Sequence, residues 1–135
     1  MWGKALLAVI LVLANLAVSA RAGEFVVVEK IPANVDRQTV IACILDSLDF
    51  RGWKALDREA HPLPAVLLVG KYEIRAAFRV EGNKVLVEAA EISSQSFQEP
   101  AKNWERYLSF VRDDVQSSLR MVSLSLDAVK RARGG

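Results

Sequence analysis

The segment YEIRAAFRVEGNKVLVEAAEIS, residues 72–93, constrains the fold more than any other part of the chain. Tyr72, Ile74, Ala76, Phe78 and Val80 alternate with Glu73, Arg75 and Arg79, so one face is apolar and the other charged. That period of two is the mark of a half-buried strand. Glu81-Gly82-Asn83 is a tight-turn signal, and the run from Lys84 returns as the partner strand. A hairpin with one apolar face must be covered by something, so the rest of the chain has to supply the cover.

Upstream, EFVVVEK (24–30) reads as a first strand and IPANVDRQ as a break. Asp36 is the expected helix cap, because Val40, Ile41, Ile44, Leu45 and Leu48 follow at helical spacing while Asp46 and Asp49 fall on the other side. Arg51-Gly52 should end that helix, with Gly52 in the left-handed position. Residues 53–60 are expected to form a second strand, HPLP a break, and AVLLV (65–69) a short buried strand. After the polar run SSQSFQEP, a long helix is expected over 102–131. Trp104, Leu108, Val111, Val115, Leu119, Val122, Leu126 and Val129 supply its continuous apolar face. Thirty residues would span about 45 Å, so the helix should either overhang the domain or break near Ser117-Ser118; MVSLSLD also permits a short strand. The order β-α-β-β-β-β-α predicts an α+β fold, an antiparallel sheet with both helices on one face.

The first 20 residues, MWGKALLAVILVLANLAVSA, stand apart. Lys4 precedes an apolar run, and small residues follow at Val18-Ser19-Ala20 and Ala20-Arg21-Ala22, which predicts a cleaved signal peptide with its cut after Ala20 or Ala22. The uncharged run is 16 residues long, short of the roughly 20 needed to span a bilayer. An uncleaved N-terminal anchor is the alternative. Without residues 1–20, 115 of the 135 remain, enough for one domain over 23–133, with 120–133 as a protruding helical extension. Seventeen basic against 16 acidic residues leave that domain at +1, with the two signs interspersed, which argues against nucleic acid as a partner.

The single cysteine, Cys43, follows Val40-Ile41-Ala42 and superficially resembles a lipidation site. Acylation needs the cysteine directly behind the export segment, whereas Glu24, Glu29, Lys30, Asp36 and Arg37 intervene. Its place on the flank of the apolar stripe predicts packing; a free thiol acting with His61, or pairing between chains, is the alternative. His61 lies in a proline-rich turn and is expected to be an exposed loop residue, and the scattered acids lack the spacing of a metal site. Asp113 and Asp114 diverge by about 100° on a helix and are expected to pair with Arg106 or Arg112. No cofactor is expected. Trp53, Trp104 and Tyr107 are candidates for a partner or ligand surface, although aromatics at element starts more often seal a core. Lys130, Arg131 and Arg133 suit a helix C-terminus.

Arg51-Gly52-Trp53 and the later WERYLSFVRDDV carry a resemblance. Together they resemble a family of small exported bacterial proteins, many of them lipoproteins, whose function is uncharacterised. The family pattern is a helix ending in Arg-Gly-Trp, then strands, then a helix with aromatic-Asn-Arg-Trp and a later Leu-x-x-Asp-Ile. Trp104, Arg106, Tyr107, Val111, Asp114 and Val115 fall on the second motif; Glu105 stands in place of its Asn and Tyr107 in place of its Trp. The resemblance covers residues 36–119 and implies an α+β envelope domain, periplasmic in a Gram-negative cell, with no established reaction.

The expected function is therefore a non-enzymatic exported module that binds an envelope protein or component. A small exported enzyme or thiol-dependent factor using Cys43 and His61, and a homodimer formed through the C-terminal helix, are the alternatives.

Overall fold

Alternation along the hairpin becomes the centre of a five-stranded sheet. In the computed structural model, residues 21–70, 72–93 and 104–134 are described; the expected signal segment and the expected helix start at Lys102 lie outside them. Strands β4 (Tyr72–Glu81) and β5 (Lys84–Ser93) pair antiparallel from Glu81↔Lys84 to Tyr72↔Ser93. Gly82, at φ 61°, supplies the left-handed backbone that the turn needs. Ile74, Ala76, Phe78 and Val80 are buried against Val85, Val87 and Ala89.

Three more strands complete the sheet, in the order β1-β5-β4-β3-β2, every neighbour antiparallel. β1 spans Arg21–Val28, β2 Lys54–Ala55 and β3 Leu63–Val69. The second strand is thus two residues long instead of the expected eight, because the chain leaves the sheet at Leu56 and turns through Asp57–Ala60 before returning. AVLLV is a half-buried strand, not a fully buried one. Leu63, Ala65 and Leu67 face the core while Leu68 is 73% exposed, since both described helices lie on the other face of the sheet.

Helix α1 (Arg37–Phe50) begins at Asp36, whose carboxylate accepts the Thr39 N–H at 2.8 Å. Its end explains why Arg-Gly-Trp stands there. Gly52 N–H returns to Asp49 O and Trp53 N–H to Leu48 O at 2.9 Å, with Gly52 at φ 81°. This paired return satisfies the last helical carbonyls, and Trp53 and Leu48 are both buried beside it.

Helix α2 (Trp104–Gly134) is continuous for 31 residues, so neither a break at Ser117-Ser118 nor a strand in MVSLSLD occurs. Trp104, Leu108, Val111, Val115 and Leu119 are buried. α2 packs on β1 and α1, which makes the architecture two-layered, with both helices on one face of the sheet. At its start the Trp104 ring lies so close to Gly23 that a Cβ there would sit 3.0 Å from its Cη2 and Cζ2. On the open face, Arg79 ties β4 to β1 through Glu24 at 2.9 Å and to Glu81 at 2.8 Å.

Candidate functional site

Among the described residues β1 has a strand neighbour on one side only, and the end of its free edge borders a concavity. The pairing of β1 with β5 shifts between Val26↔Leu86 and Val28↔Val85, which leaves Val27 as an extra residue. Such a bulge breaks the alternation, and Val27 and Val28 are consecutively buried as a result. Across the edge stands one flank of α2. Gln116 donates its side-chain N–H to Val27 O at 3.0 Å, and Arg112 stacks over Phe25 at 5.5 Å.

Between strand and helix lies an open groove of about 650 Å³. Val26, Val28, Glu29, Lys30 and Pro32 form one wall; Arg112, Asp113, Gln116, Arg120, Ser123 and Leu124 form the other. The β1–α1 loop is fastened to α2 by Asn34. Its amide donates to Ser123 O at 3.0 Å and to Asp127 at 3.1 Å, and its carbonyl accepts the Ser123 hydroxyl at 2.8 Å. Arg112 approaches Asp113 at 3.4 Å, while Lys30 and Arg120 have no ion pair among the described residues. The groove therefore holds surplus positive charge beside exposed apolar side chains, Val26 among them.

Past Val122, which is half-buried against the core, the apolar stripe of α2 is exposed among the described residues. Leu126 is 44% and Val129 49% exposed, and Met121 and Leu124 are more open still. Arg120, Lys130, Arg131 and Arg133 accompany them, with Asp127 as the lone acid after Asp114. This segment adjoins the groove, because Ser123 and Leu124 belong to both.

The three expected surface aromatics are separated. Trp53 and Trp104 are buried in the core, Trp53 with its ring edge-on to Phe78 at 6.4 Å. Those two indoles pack and present little surface to a ligand. Tyr107 is half-buried, edge-on to Phe110 at 6.3 Å, in a different cluster. There Arg51 lies between Phe50 and Phe110, at 5.4 and 5.1 Å, and makes a two-pronged ion pair with Asp114 at 2.6 and 3.0 Å. Asp113 pairs with Arg112, as expected, whereas Asp114 pairs with the residue that ends α1 and not with Arg106 or Arg112.

Cys43 is buried on the core face of α1, where desolvation, and then the neighbouring Asp46, push its thiol above the ordinary range and away from the reactive thiolate. His61 is an exposed loop residue, joined to Pro62 by a cis peptide. Its Nε2 accepts the Val80 backbone N–H at 2.9 Å, and desolvation, with Arg37 second, holds its pKa below the ordinary value. Each residue already has a structural task. Among the described residues no three metal-ligating side chains cluster, and no helix is long and apolar enough to cross a membrane. Compared with family models, curated proteins and solved structures, the chain matches none.

Val26, Gln116, Arg120 and Leu124 were not singled out by sequence. Spacing places Gln116 and Arg120 on one helix flank, but only the strand order shows that this flank faces an open sheet edge.

Proposed function

We propose that the protein is an exported, non-enzymatic interaction module of the cell envelope that engages a partner through the free flank and extended end of α2. One observation carries this reading: four large apolar side chains, Met121, Leu124, Leu126 and Val129, are exposed on one helical segment, beside a groove that leads back into the domain. Leu126 and Val129 prolong the buried stripe, while Met121 and Leu124 stand on a neighbouring flank of the same segment; exposed apolar side chains gathered on one segment and rimmed by charge suit a binding surface. The leading segment supports export, as does the resemblance carried by Arg51-Gly52-Trp53.

A second copy is the next reading, since the stripe keeps its spacing and can pair with an equal helix. Against it, Arg120, Lys130, Arg131 and Arg133 would bring like charges together.

Site-specific photocrosslinking in intact cells tests the proposal. A photoreactive residue at Leu126 should give a discrete adduct with an envelope protein, whereas one at Leu68, exposed on the opposite face, should not. Adducts at twice the chain's own mass would favour the dimer. Equal labelling at both positions, or none at either, would remove the assignment.

A further inference from the structure

We infer that β1 accepts an extended, acidic segment of a partner protein as a sixth strand, laid in the groove between the β1 edge and the α2 flank. The inference rests on the interaction-module reading and adds the partner's conformation and charge.

Three features converge on this. First, the sheet order leaves β1 without a strand on one side among the described residues, and an unpaired edge offers backbone donors and acceptors in the spacing that an extended chain matches. Second, α2 stands beside the end of that edge, at Val26 and Val28, touching it through Gln116 on Val27 O and leaving about 650 Å³ alongside, a volume in the range of ligand sites. Third, the charge is selective. Lys30 and Arg120 both line the groove, one from the strand side and one from α2, with no ion pair among the described residues. Arg112 also lines it, already drawn to Asp113, and Glu29 is the remaining acid. Carboxylates on an incoming strand would meet Lys30 and Arg120, while its apolar side chains would meet Val26 and Leu124.

The bulge at Val27 and the Gln116 amide on Val27 O also have a meaning here. Both interrupt the edge and so discourage indiscriminate strand pairing. A segment that docks must then gain from side-chain recognition as well as from the backbone. The surplus of Lys30 and Arg120 over Glu29 in the lining favours an acidic partner.

Selection of random eight-residue peptides displayed on phage, with the purified protein as bait, tests the inference. Enriched sequences should alternate β-branched residues with Asp or Glu. An enriched peptide, titrated against the protein, should slow amide exchange along β1, and the K30E/R120E double variant should weaken it by about tenfold or more, the scale of one lost charge-assisted contact. Both positions are exposed, so an unchanged urea midpoint will show that the variant folds. Enrichment without acidic residues, affinity indifferent to the charge reversal, no enrichment, or protein-concentration-dependent protection of β1 without peptide would each overturn it. Crosslinks at Leu126 with β1 unprotected would retain the module and discard the added strand; loss of the Leu126 crosslinks with β1 still protected by peptide would do the reverse.

Discussion

The two halves of α2 have the same spacing and opposite surroundings. From Trp104 to Leu119 every third or fourth residue is buried; beyond it, Leu126 and Val129 occupy the same stripe and are about half exposed. The difference lies in what stands opposite. α1 has 14 residues and runs about 21 Å, whereas the 31 residues of α2 run about 46 Å. Periodicity is a property of one helix, but cover is a property of its neighbours' lengths. An apolar stripe that outlasts its neighbours is available for something else.

Matched substitutions probe the contrast most directly. Leu108→Ala, at a fully buried position, should cost about 2–5 kcal/mol, read as a lower urea midpoint. A cost below about 1 kcal/mol would mean that the first half is loosely packed. Next comes the contact that fastens this half to the sheet. Gly23→Ala places a methyl group 3.0 Å from the Trp104 ring and should cost about 1–3 kcal/mol by overpacking. Trp104→Leu should relieve the added cost of Gly23→Ala in a double-mutant cycle; strictly additive effects would show that the two positions are not in contact. Leu126→Ala, in the exposed half, should change stability by less than about 0.5 kcal/mol. A cost near that of Leu108→Ala, especially one that grows with protein concentration, would show the second half to be covered after all.

The smallest effect sets the pH range in which this comparison is fair. His61 accepts the Val80 N–H through an unprotonated nitrogen, and its folded pKa lies below the ordinary 6.5. The unfolded chain therefore binds the proton more readily. The contribution is fully present above pH 6.5 and is lost as pH falls through the folded value. Asp36, held below 3.8 by Thr39, gives a separate loss only at still lower pH. His61→Ala should flatten the dependence just below pH 6.5 in urea midpoints measured across pH. An unchanged slope would remove His61 as its source.

Elements whose information is local were legible in the sequence. Asp36 caps α1 through Thr39, three residues on, and Gly52 and Gly82 adopt the left-handed conformations that their turns demand. The hairpin and the order of elements follow from alternation and helical spacing. What depended on distant parts of the chain was not legible. Nothing in KALDREA shows that only Lys54 and Ala55 pair, because that is decided where β3 passes. The exposure of Leu68 depends on both described helices lying over the other face, and the bulge at Val27 on its register with β5. The candidate site belongs to this second class. Its walls lie on β1 and α2, and the Gln116–Val27 contact joins residues 89 positions apart.

That separation has a kinetic consequence. The first strand described and the last helix complete one another, with Trp104 on Gly23 and Gln116 on Val27. The β3–β4–β5 meander, by contrast, is built from near neighbours and can close early. Loop-closure entropy delays contacts of long sequence separation. β1 should thus be the last strand to be secured, since it waits on β5 for its backbone partners and on α2 for its cover.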